Sequence, residues 1–195
     1  MQRLLQLSGL ALALMGAGAA WAQGVQPMAF QSISPITRKE VHATTCGIQF
    51  VGKALSNGTP QQIEIVDGSL SIFAKGYGMV KAAFKVGVLS DGVAGLRPTE
   101  LQVSWVRVAS SSPITPYPGT QLVPGDSAGY EMFVTSFEST YVAINELIKG
   151  KMLWISFSNA SGPDRIFSGP VEIDPATRKQ FLACVDELAS NLPAR

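Results

Sequence analysis

Histidine and cysteine are scarce in this chain: His42 is the one imidazole, and Cys46 and Cys184 are the only thiols. One nitrogen ligand and two sulfurs do not make the usual ligand set of a zinc site, so no metal and no cofactor is expected. His42 also lacks the serine it would need as a hydrolytic base, since no G-x-S-x-G elbow occurs. It reads as a solvated linker residue. No P-loop or dinucleotide fingerprint is present, and Gly76-Tyr77-Gly78 reads as a turn between strands. The carboxylates are dispersed. Asp186 and Glu187 are adjacent on a helical pattern and therefore point apart. Charge of one sign is missing too: 15 Lys and Arg face 14 Asp and Glu. That balance argues against nucleic acid as a partner.

Only one long apolar run exists, from Leu7 to Ala20, preceded by Arg3 and followed by Ala20-Trp21-Ala22. A positive start, a short apolar middle and a small-x-small end read as a secretory signal peptide over residues 1–22. The run is too short and too rich in Gly and Ala to serve as a membrane anchor, which needs about 20 apolar residues. Gln23 follows, not a cysteine that could be lipidated. A periplasmic destination is expected. In that oxidising setting Cys46 and Cys184 are expected to pair as a disulfide.

Residues 23–45 show no period and read as a flexible lead-in. From 46 to 192 a single domain is expected, with alternation dominating its first half. Asp67-Gly68, flanked by Ile63, Ile65, Leu70 and Ile72, predicts a type I′ hairpin turn. Met79 to Leu89 alternates cleanly. Glu100 to Val108 shifts phase after Trp105, which predicts a bulge or a strand buried on both faces. Tyr130–Val134, Leu153–Phe157 and Arg165–Ile173 are further strands. Trp105, Trp154 and Phe157 are assigned by default to the core.

Two helices punctuate the strands. Thr135-Ser136-Phe137-Glu138 fits a capping box with Thr135 as the cap, and Phe137, Tyr141, Ile144 and Ile148 follow at helical spacing. Asp174-Pro175 opens the second helix, whose stripe is Phe181, Val185, Leu188 and Leu192. Cys184 borders that stripe. The expected fold is α+β and β-rich, a largely antiparallel sandwich or partly open barrel with two packed helices.

Ser110 to Gly129 carries four prolines and a single charge, Asp126. Long unpatterned connections in compact domains are often functional, and Tyr117 and Leu122 are its candidate partner-binding residues. From Thr135 to Leu188, a capped helix leads through Lys149-Gly150-Lys151 into Met152–Phe157. A strand at Arg165-Ile166-Phe167 follows, and Phe181-Leu182-Ala183-Cys184 lies on a closing helix. This third of the chain resembles small exported Gram-negative proteins such as the invasion-associated locus B family. The resemblance implies a β-rich periplasmic or envelope protein with no established enzymatic site. The expectation is a non-catalytic protein that binds another envelope macromolecule, as an inhibitor, immunity or secretion-accessory protein would. The alternatives are an envelope-polymer hydrolase using carboxylates brought together in space, and a binder of a small apolar ligand.

Overall fold

The computed structural model describes residues 25–55, 62–90, 93–99, 101–109, 122–125, 127, 129–158 and 163–191. The expected signal peptide, Tyr117 and Leu192 lie outside the described residues. In chain order the elements are β1 (Val25–Pro27), β2 (Ala29–Lys39), β3 (Ala43–Leu55), β4 (Gln62–Phe73), β5 (Tyr77–Ser90), β6 (Val93–Pro98), β7 (Gln102–Val108), β8 (Val123–Pro124), β9 (Glu131–Ser136), α1 (Phe137–Ile148), β10 (Met152–Ser158), β11 (Arg165–Glu172) and α2 (Pro175–Ser190).

One sheet runs β7-β10-β11-β2-β3-β4-β5-β9-β8, with β1 added beside β11 and β6 beside β5. It curls into a half-barrel with two helices packed on it, as the β-rich α+β expectation requires. All pairings are antiparallel except those of β11 with β1 and β2. β1 and β2 lie end to end along β11, joined at the buried Met28, whose N–H donates to the Ser168 carbonyl at 2.8 Å.

Alternation sorts the central strands into two faces. One face carries Cys46, Ile48 and Phe50 of β3, Val66, Leu70 and Ile72 of β4, and Val80 and Phe84 of β5, all buried. Both helices cover this face. α2 inserts Phe181, Cys184 and Leu188, and α1 inserts Thr140, Ala143, Ile144 and Leu147. Gly78 makes room for α1, because a Cβ there would collide with Thr140. The curl then brings Phe84 against Phe157 and Phe167, with ring centroids 5.6 and 5.0 Å away. Cys46 and Cys184 form a disulfide, with Cα atoms 5.8 Å apart across 138 positions of sequence.

Four sequence expectations meet a different structure. Residues 25–45, read as a lead-in, supply β1, β2 and the start of β3. Asp67-Gly68 makes no hairpin: both lie inside β4, where Asp67 pairs with Val51 and Ala83, and Gly68 with Phe50 and Ala82. The glycine serves packing, since a Cβ would sit 2.8 Å from both the Phe50 ring and the Lys81 carbonyl. The cap of α1 is Ser136, whose hydroxyl accepts from the Ser139 N–H at 3.0 Å; Thr135 is a buried strand residue. Trp105 and Trp154 are half-buried rather than core. The Arg107 guanidinium lies 5.4 and 5.3 Å from their rings. β10 and β7 slip register where Ser156 pairs with Trp105 and Phe157 with Val103, so Val103, Val106 and Val108 all face the core and Trp105 the other side, while Trp154 alternates with the buried Leu153 and Ile155.

Candidate functional site

The face of β2–β5 opposite the helices is not simply a solvated polar surface. Its central residues are small and its flanking residues large, so it sinks into a trough of about 520 Å³. The floor follows from register. On one rung Gly47 pairs with Ser71, with Ile36 of β2 and Met79 of β5 on either side. On the next, Gln49 pairs with Ser69, flanked by Ser34 and Lys81. Gly47 is obligatory, because a Cβ would run into the Leu70 carbonyl and crowd Ser71. Thr45, Ser69 and Ser71 are consequently buried though polar.

The trough follows β3 and β4 from Phe73 to Asp67, a run of about 20 Å at the usual strand rise. Phe73 and Tyr77 stack at 4.5 Å at one end, beside Arg38. Met79 and Met132 form part of one wall, apolar surface that adapts readily to a ligand. At the other end Asp67 accepts a hydrogen bond from the Tyr130 hydroxyl, and Lys85 Nζ donates to Asp67 at 3.2 Å and to Tyr130 at 3.0 Å. The Tyr130 ring also carries the Lys81 and Lys85 ammonium groups at 4.7 and 4.6 Å from its centre.

Tyr130 and Lys85 are held in fixed protonation states. Burial, reinforced by the Asp67 carboxylate, raises the Tyr130 phenol above its ordinary pKa and outweighs the opposing pull of Lys85. Burial lowers Lys85, but its hydrogen bonds to Tyr130 and Asp67 outweigh that and leave it raised. Tyr130 therefore keeps its proton and Lys85 its charge at neutral pH. A protonated phenol is neither base nor nucleophile. The trio clamps the end of the trough. Glu131, which follows Tyr130 in the chain, turns to the helix side and bonds to the Gln102 side chain and the Val103 backbone of β7, with burial holding its pKa up.

The sequence-derived candidates fall in separate places. Leu122 is half-buried and packs against the core, just before β8, which adds to the sheet edge. Asp174 caps α2, its carboxylate accepting from the Ala176 and Thr177 N–H groups at 2.9 Å. Glu187 diverges from Asp186 and holds Lys39 and the Ala43 N–H. His42 is exposed at the bend between β2 and β3. Gly76, with φ of 86°, makes the turn between β4 and β5, whereas Tyr77 and Gly78 belong to β5. Among the described residues no group of three or more His, Cys, Asp or Glu side chains is placed to hold a metal ion. No described helix is long and apolar enough to cross a membrane.

A second polar cluster joins β1, β4 and β11. There Arg165 donates to the buried Glu64 and to Gln26, both at 2.8 Å, and its guanidinium lies over Phe84 and Phe167. Its charges are mutually satisfied and tie β1, β4 and β11 together. The trough was hidden from sequence reading because its floor is made of Ser, Thr and Gly, types that carry no chemical signature. The one available signal was the small-residue alternation Thr45-x-Gly47 and Ser69-x-Ser71, set between core positions. In comparison with known proteins, the chain matches no family model, no curated protein and no solved structure.

Proposed function

We propose that this is a non-catalytic binding protein of the bacterial envelope, and that it engages another macromolecule through the trough on the open face of its sheet. The trough itself carries the reading. It combines a hydroxyl-lined floor, adaptable Met79 and Met132, an aromatic pair at one end and the cations Arg38 and Lys81 in its walls. Small-molecule pockets are typically compact and predominantly apolar, whereas this trough is elongated along two strands and has Thr45, Gln49 and Ser69 in its floor. Hydrolysis of a polymer by paired carboxylates finds less support, because Asp67 is engaged by Lys85 and Tyr130 and Glu131 bonds to β7. The signal-peptide pattern of residues 1–22 and the disulfide both favour export. The resemblance of the C-terminal third to exported Gram-negative envelope proteins points the same way.

Site-specific photo-crosslinking tests the reading. A benzoylphenylalanine at Met79 or Met132 should yield one discrete higher-mass adduct in intact cells. The same group at Lys179, exposed on α2, should yield none. Adducts from all three positions, or from none, would overturn it.

A further inference from the structure

We propose that β6 is a pairing edge, where a second copy of this chain adds its own β6 antiparallel across a two-fold axis at Gly95. The inference is independent of the trough. β6 pairs with β5 on one side, and among the described residues no strand lies on the other. Its Gly95, Leu96 and Arg97 are all exposed. Hydrogen-bond phase decides which backbone groups face outward. The Thr99 N–H donates to the Phe84 carbonyl at 2.9 Å, so Arg97 with Val86 and Gly95 with Val88 are the hydrogen-bonded pairs that follow. Ala94 and Leu96 therefore turn their N–H and C=O groups to the open edge. The other edges are blunted: β1 and β8 are three and two residues long, β2 carries Pro35 within its open stretch, and Glu131 engages β7 at Val103. β6 runs six residues, with its one proline, Pro98, at the end.

Gly95 selects the register. Neither its φ nor packing within the chain calls for glycine, since a Cβ there would meet nothing. A strand glycine of this kind marks a place where another backbone approaches closely. With the axis at Gly95, the two glycines form a non-hydrogen-bonded pair, Cα atoms about 4.5 Å apart. Ala94 of each copy then exchanges N–H and C=O bonds with Leu96 of the other. An axis at Leu96 would instead set Pro98, which has no N–H to give, opposite Ala94. In the Gly95 register the two Arg97 residues lie about 14 Å apart, so like charges do not meet. The neighbouring strand also covers Leu96, which is 42% exposed at the outer end of the rung Leu55, Ile63, Gly87, Leu96. One strand edge falls short of the roughly 1,000 Å² of a stable interface, which makes this dimer a weak, concentration-dependent one.

Sedimentation equilibrium of the exported protein from about 10 μM to about 1 mM, a range that covers weak association, should show monomer passing into dimer. Leu96→Lys places a charge on the edge and should weaken the dimer about tenfold or more. Gly95→Cys tests the register, because opposed Cα atoms about 4.5 Å apart admit a disulfide. Under oxidising conditions that variant should run as a covalent dimer on a non-reducing gel. Arg97→Cys, with its mate about 14 Å away, should give about tenfold less cross-linked product. A wild type that stays monomeric across the range would overturn the proposal, as would a Leu96→Lys dimer of undiminished strength. So would the absence of cross-links from Gly95→Cys, or equal yields from the two cysteine variants.

Discussion

Tyr130 works as a clamp because its proton stays on. Its hydroxyl donates to Asp67 and accepts from Lys85, and the phenolate would sit beside a carboxylate in a half-buried site. The sign of the linkage follows. Tyr130 and Lys85 both have folded pKa values above their ordinary 10.0 and 10.5. The stability they contribute is fully present below those values and is lost as pH rises through the raised ones. Tyr130→Phe should therefore cost about 1.5–3 kcal/mol at pH 8, the range for a hydrogen bond to a charged group. Above pH 10 the difference should shrink, because wild type then loses what the variant never had. Urea midpoints of both proteins at pH 8 and pH 11 check this. A difference that stays constant across the window would show that Tyr130 does not titrate against Asp67.

At the scale of elements, the two helices were legible and several strands were not, for identifiable reasons. α2 announces itself by Asp174-Pro175 and the stripe Phe181, Val185, Leu188 and Leu192, and the structure caps it as expected and buries Phe181 and Leu188. The buried side of α1 is Thr140, Ala143, Ile144 and Leu147, so of the expected stripe Ile144 is core while Phe137, Tyr141 and Ile148 pack half-buried beside it, and the cap lies one residue further along. Thr135 and Ser136 are chemically equivalent caps and both belong to β9, pairing with Gly78 and Tyr77; what separates them is that Thr135 is buried, whereas the hydroxyl of Ser136, the last strand residue, accepts from the Ser139 N–H. Ser136→Ala should cost about 1 kcal/mol by thermal or urea unfolding. A glycine at the same position should cost only a few tenths. Equal losses from alanine and glycine would argue that Ser136 matters for packing rather than for the cap. β2 was missed because Pro35 reads as a strand breaker. It is tolerated where β2 has β3 on one side and no described strand on the other, since β11 pairs with it at Phe30 and Gln31. Asp67-Gly68 misled for the opposite reason: a strong local turn signal was overridden by the Phe50 ring packing over Gly68 and by Lys85 and Tyr130 engaging Asp67. The trough inherits this illegibility. It depends on which residues of β3, β4 and β5 share a rung, and register between strands is not written in any one of them.

For the molecule as a whole, the curled sheet divides into two blocks joined by a narrow seam. β2–β5 with β9 form one block, and β7, β10 and β11 the other. Where β11 meets β2 the register holds for two pairs, Val171 with Phe30 and Glu172 with Gln31. Interior contacts reinforce the seam through Phe84 against Phe157 and Phe167, and through Arg165 with Glu64. The covalent tie is the disulfide, which fastens α2, the element following β11, to β3 in the other block. A cross-link spanning 138 positions removes about 5 kcal/mol of unfolded-state freedom in the chain-entropy model. That is comparable with the whole stability of many single domains, roughly 5–15 kcal/mol. Its loss should be felt across the fold rather than at α2 alone. The double variant Cys46→Ala/Cys184→Ala mixes two effects, since both sulfurs are buried in the core and their removal also leaves space. Wild type unfolded in the presence of a reductant keeps the sulfurs and loses only the link. Reduction should therefore lower the urea midpoint by an amount approaching the full cross-link contribution, and the alanine pair should lower it somewhat further. A reduced protein that unfolds at the oxidised midpoint would mean that the seam holds without the bond, and that the pair does not serve stability.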